Sequence, residues 1–204
     1  MEKIIGLIGV FVLIWLVRNY LGLNKKKTKN PDNINLRTIL EEEVMFYRRL
    51  APEQKELFVK KAEQFLSGVH LEGIGMEVTE LDKALVAASA VIPIFHFDNW
   101  RYKNLTNVII YPDTFNEQFQ YNGESRNIAG MVGTGYMNGQ MILSRRALYD
   151  GFRNSKDKSN TGIHEFVHLL DKADGETDGI PENLLNHQYT IPWLSLLRDE
   201  IREI

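Results

Sequence analysis

The chain of 204 residues contains no cysteine. Without thiols there is no disulfide framework and no thiolate metal ligand, so any transition metal must be held by His, Asp or Glu. Positive charge is in no excess either. The 24 Lys and Arg stand against 27 Asp and Glu, a net charge of −3. Nucleic-acid binding needs a basic face, and this balance supplies none. Internal repeats and low-complexity segments are also missing. What is there is an ordinary globular makeup, 44% hydrophobic and 25% charged, enough for one domain with a core.

One long apolar run stands apart from that domain. Ile4 to Val17 reads IIGLIGVFVLIWLV, without a charge or a proline. Fourteen helical residues reach only about 21 Å. Extended to Leu23, through Arg18, Asn19 and Tyr20, the run reaches the roughly 30 Å that a bilayer requires. Arg18 can snorkel, and Trp15 and Tyr20 suit the aromatic belt. A cleaved signal peptide fits less well, because Glu2 offsets Lys3 and no small-x-small site follows. Residues 1–24 therefore predict a single membrane anchor. Lys25, Lys26, Lys27 and Lys29 follow it directly, and the positive-inside rule places that side in the cytoplasm. Residues 25–34 read as a basic, polar tether, and residues 35–204 as a domain on the cytoplasmic face of the inner membrane.

Within the domain, Asn35 to Leu50 carries an imperfect helical stripe. Pro52 suits the first residue of a second helix, running to Leu66 and stopping at Gly68. Val69 to Val78 looks extended. Thr79 and Asp82 form a capping-box start for an alanine-rich helix, with Pro93 as its stop. Val108 to Tyr111 predicts a strand closed by Pro112, and Met141 to Leu143 another. The glycine-rich stretch Gly130 to Gly139 has no phosphate-loop spacing and reads as a turn between strands. Helices with a few scattered strands predict an α+β fold, mainly helical with a small sheet.

Residues 160–171, NTGIHEFVHLLD, carry the chemistry. Asn160 or Thr161 can cap a helix, with Ile163, Phe166, Val167 and Leu170 on its buried side. His164 and His168 are four residues apart, so their imidazoles leave one helix face a turn apart, the spacing two ligands of one zinc ion need. Glu165 is turned off that line and can serve as catalytic base toward an attacking water. With 5 His and 17 Glu in the chain, chance produces H-E-x-x-H about once in a hundred such sequences. Asp171, three residues after His168, lies on the same stripe. It either accepts the ring N–H of a ligating histidine or is a solvated helix-end aspartate. His70, His96 and His187 sit singly and read as structural. A catalytic zinc site needs a third protein ligand. Asp171 and Asp174 occupy the places where a metzincin would have Gly and His, which leaves a later glutamate. Glu200 and Glu203, on the helical pattern Thr190 to Ile204, are the candidates, although both suit a solvated face equally.

Four stretches, GMEVTELDKALVAASAVIPI, FDNWRYKNLTNVIIYPDTF, GMVGTGYMNGQMILS and HEFVHLLDKADGETDGIP, resemble the Mlc titration factor A (DgsA anti-repressor) family of bacterial zinc metallopeptidases. The resemblance implies a gluzincin-like zinc metallopeptidase domain with aminopeptidase-like activity on small substrates. It further implies a third zinc ligand from a glutamate well beyond the motif, in a segment rich in Phe, Ser and Glu. No such segment occurs before Ile204. The expectation is therefore a domain shortened at its C-terminal end, with His164 and His168 present and the third ligand outside this chain. A transcriptional regulator is the protein partner the resemblance implies. Three functions fit these residues: a zinc peptidase, a zinc hydrolase of another amide or ester, and a binding or scaffold protein that keeps the motif helix as a remnant.

Overall fold

A proline that opens a helix loses nothing by lacking an N–H, and Pro52 does so here. The computed structural model describes residues 33–97, 101–102, 104–123, 125–133, 137–153 and 160–172. Contacts divide the chain into Met1–Asn33 and Ile34–Ile204. The anchor and most of the tether lie outside the described residues. Among those described, no helix is long and apolar enough to cross a membrane.

The elements run α1 (Asn33–Glu43), α2 (Met45–Arg48), α3 (Pro52–Gly68), β1 (His70–Gly73), α4 (Glu80–Ile94), β2 (Asn107–Tyr111), β3 (Gly130–Val132), β4 (Gln140–Ser144), α5 (Arg145–Arg153) and α6 (Thr161–Asp171). This is a mixed fold of helices and one small sheet. The strand order is β1-β2-β4-β3, with β1-β2 and β2-β4 parallel and β3-β4 antiparallel.

The two central strands, β2 and β4, pack on both faces, because alternate side chains leave a strand on opposite sides. Val108, Ile110, Met141 and Leu143 join the main core. Tyr111 and Ile142 join Phe115 in a second cluster on the other face, with Ile109 and Met131 packed against it. The main core centres on α4, buried nearly all round, which is where a helix apolar on every side belongs. Its first turn is a complete capping box. The Asp82 N–H donates to Thr79 Oγ1 at 3.2 Å, and the Thr79 N–H donates to Asp82 Oδ2 at 2.7 Å. The Asp82 side chain is fully buried and also accepts from Arg145 and from the Tyr149 hydroxyl, at 2.6–3.0 Å. That cluster ties α5 to the start of α4.

Several details depart from the sequence pattern. The first helical stripe is broken at the extended residue Val44 into α1 and α2. Pro93 lies inside the last turn of α4, which ends one residue later. The stretch read as a turn begins with a strand: Gly130 to Val132 is β3, the antiparallel edge of the sheet. Three residues headed by glycine give no alternation, so pairing to β4 rather than local propensity defines this strand. Helix α5 has no counterpart in the sequence pattern, because only Leu148 on it is buried.

Candidate metal centre

Helix α6 starts where the Ile163 N–H donates to Asn160 Oδ1 at 3.0 Å, so Asn160 is the cap. Phe166 is fully buried at the back of the helix, its ring 5.5 Å from Phe65 and 5.0 Å from Tyr102. Tyr102 in turn donates to the Ala90 carbonyl at 2.8 Å. Gly162 completes the inner stripe with Phe166 and Leu170, at steps of four. A Cβ on Gly162 would stand 2.3 Å from Ser89 Oγ and 2.9 Å from Leu148 Cδ1. Helices α6 and α4 therefore cross at a distance only glycine permits. Val167, expected on the buried side, is 45% exposed, beside the exposed His164. The open face of the helix is the one that carries the histidines.

On that face, His164 Nε2 and His168 Nε2 stand 2.9 Å apart, with the rings at 83°. Two nitrogens bound to one tetrahedral zinc at about 2.0–2.1 Å lie roughly 3.3 Å apart. The pair therefore fits a zinc ion after a small outward movement of the rings. Burial, then the neighbouring His164, holds the His168 imidazole below its ordinary pKa, which favours the neutral form a ligand must have.

Glu165, next to His164 on the helix, rests its side chain against Gly130 of strand β3. It is 8% exposed, and burial pushes its carboxyl above the ordinary range against smaller opposing effects of His164 and Lys172. No described residue forms a hydrogen bond or salt bridge to it. A buried carboxylate with a raised pKa and free oxygens is suited to take up a proton near neutral pH. Asp171 is 7% exposed, so it is not a solvated helix-end residue. Its Oδ1 is buried without a hydrogen-bond partner, and its charge favours the protonated form of His168.

Among the described residues no third His, Cys, Asp or Glu completes a metal-holding group. Glu200, Glu203 and His187 lie outside them. Of the other histidines, His70 opens β1 and His96 sits against the Phe95 ring, both exposed. The residue that sequence reasoning missed is Gly130, whose Cα faces the Glu165 side chain from β3.

Strand β3 presents its main chain beside this helix. The Ser144 N–H donates to the Ala129 carbonyl at 2.8 Å, and the Gly133 N–H to the Gln140 carbonyl at 2.9 Å. Pairing alternates along an antiparallel ladder, so the N–H and C=O groups of Gly130 and Val132 turn away from β4, to the edge that no other described strand pairs.

Residues 21–204 match the model of the glucose-regulated metallo-peptidase M90 family. The chain belongs to that family. Its match to the M90 model spans the tether, the whole described fold and the motif helix. A relative in Synechocystis sp., described as uncharacterized protein slr2042, is 25% identical over 214 residues, covering 97% of this chain and 74% of its own length. Membership in the M90 family implies a divalent metal, typically zinc.

Proposed function

We propose that this M90 protein is a zinc-dependent, aminopeptidase-like peptidase in which His164 and His168 hold the metal and Glu165 is the base. The observation that carries the reading is the pair of ring nitrogens 2.9 Å apart, with a buried carboxylate one residue along the same helix. Bound zinc supplies a Lewis acid that acidifies water and polarises a carbonyl. The chain's own residues do the rest. Glu165 takes the proton of the attacking water and returns it to the leaving amine. Its raised pKa brings donor and acceptor strengths closer together at neutral pH. Asp171 offers a buried carboxylate oxygen without a partner, which would hold the His168 ring by accepting its second N–H.

A peptide is favoured over another amide or ester by the edge of β3. The outward N–H and C=O groups of Gly130 and Val132 can pair with an extended backbone, as sheet edges do in strand addition. The lysine-flanked apolar run supports a location on the cytoplasmic face of the inner membrane. The third ligand is assigned to a glutamate beyond the motif helix, supplied outside the described residues. A transcriptional regulator as partner rests on the family resemblance alone.

The test is metal content and hydrolysis side by side. The full chain is expected to take up one zinc per molecule and to cleave short peptides. His164→Ala should lose both, and Glu165→Gln should keep the zinc while hydrolysis falls by about 10²–10⁴-fold. Parental hydrolysis in Glu165→Gln would end the assigned role. Absence of zinc uptake would show that these 204 residues lack part of the site, and a longer chain that still takes up none would favour a binding or regulatory protein.

A further inference from the structure

Strand β3 meets α6 at a glycine. A Cβ built on Gly130 would stand 2.7 Å from Glu165 Cγ, 2.9 Å from Oε1 and 3.0 Å from Cδ. Non-bonded carbons in contact normally keep about 3.5–4.0 Å. All three of these nearest atoms belong to the one side chain that the peptidase reading assigns as base. The backbone does not itself require glycine there. The described glycines with positive φ are Gly75, Gly123 and Gly139, and Gly130 is not one of them. Glycine inside a strand costs conformational entropy, so alanine at an ordinary backbone position would normally stabilise. At Gly73 and Gly133, by contrast, an added Cβ would meet main-chain carbonyls, Met76 O at 2.3 Å and Met137 O at 2.1 Å.

We propose that Gly130 is the positioning residue of Glu165: the side-chain volume it leaves empty on the sheet edge is the seat in which the carboxylate rests. The seat is a property of the metal-free fold. Its effect on turnover rests on the peptidase reading. Gly130 also turns its own N–H and C=O to the edge that no other described strand pairs, so one residue sets both the base and the main chain an extended substrate would pair with. A side chain at 130 would push the carboxylate out of register with the histidine face.

The experiment is a double-mutant cycle on the full chain, read first without metal and then with zinc. In the presence of chelator, Gly130→Ala should lower the denaturant midpoint. Glu165→Ala should cancel that loss in the double variant, because the clashing atoms are gone. Glu165→Gln, which keeps the same shape, should not cancel it. If Gly130→Ala alone does not fold, recovery of folding in Gly130→Ala/Glu165→Ala gives the same answer. With zinc, Gly130→Ala should keep metal stoichiometry and lose on the order of 10²-fold in kcat rather than in KM, the scale of a misplaced catalytic group. Additive midpoints, or parental stability and kcat in Gly130→Ala, would overturn the proposal. Coupled midpoints in a chain that binds zinc but cleaves no peptide would leave the seat standing and remove the peptidase reading.

Discussion

Asp82 at the start of α4 and Glu165 in the middle of α6 are both carboxylates taken almost wholly out of water, at 0% and 8% exposure. Their surroundings are opposite. Asp82 is saturated: two backbone and hydroxyl contacts from Thr79, a forked guanidinium from Arg145 and a hydroxyl from Tyr149 account for its oxygens. Glu165 faces a glycine and has no described donor. A buried charge is tolerated when it is paired, and costs stability when it is not. The first carboxylate therefore holds the fold together, while the second, left unpaired, costs stability. Asp171 stands between them, buried like both, with one oxygen still unmatched.

That contrast can be broken in four ways. The largest effect is expected at Asp82. Asp82→Ala removes the return half of the capping box and leaves Arg145 with only the Glu77 carbonyl. It should lower the free energy of unfolding by about 3 kcal/mol, the lower end for a broken buried pair because Arg145 keeps some water contact. Denaturant titration checks this, and a loss well under 1 kcal/mol would show the cluster to be ornamental. Next comes the helix crossing. Gly162→Ala drives a methyl into Ser89 and Leu148 and should cost about 2 kcal/mol by overpacking. Pairing it with Ser89→Gly should recover much of that loss. Third, Asp171→Asn should weaken zinc binding about tenfold with little change in the metal-free midpoint, as expected of a group that acts through a ligating histidine. An unchanged zinc affinity would return Asp171 to a packing role.

The smallest effect is the most diagnostic. Burial raises the Glu165 carboxyl above its ordinary value of 4.5, so the folded chain holds that proton more tightly than the unfolded chain does. Stability from this group is then complete below pH 4.5, declines as the pH rises toward the folded value, and is flat above it. Glu165→Gln cannot ionise. Without metal, it should match the parent in acid and exceed it at neutral pH. A parent less stable in acid than at neutrality, with the variant following it, would show that other carboxylates dominate. Asp82→Asn is the natural control, because it removes a paired charge and should lower stability at neutral pH.

The parts of this molecule legible in the sequence were those fixed by local chemistry. Pro52 and Thr79 mark helix starts whatever the tertiary setting, and the His164–His168 spacing works on any helix. The illegible parts depended on what lies across a gap. Nothing local to Gly130 announces a strand, because its pairing is with Leu143 and its crowding with Glu165. Helix α5 escaped because its anchors, Arg145 and Tyr149, bind Asp82 more than sixty residues earlier. Val167 was misplaced for a related reason: its position in the stripe is apolar, yet the fold leaves that face open.

The short contact between the two histidine rings sets the terms on which metal is loaded. For Nε2 to meet Nε2 as a hydrogen bond, one ring carries its hydrogen on Nε2 and the other on Nδ1. A metal ion needs the lone pair of both Nε2 atoms. To hold a metal, the pair would need both rings to carry the hydrogen on Nδ1, and the bond between the rings would open. Before loading, the same bond keeps both side chains aimed at a common point, so little ordering remains to be done when the ion enters.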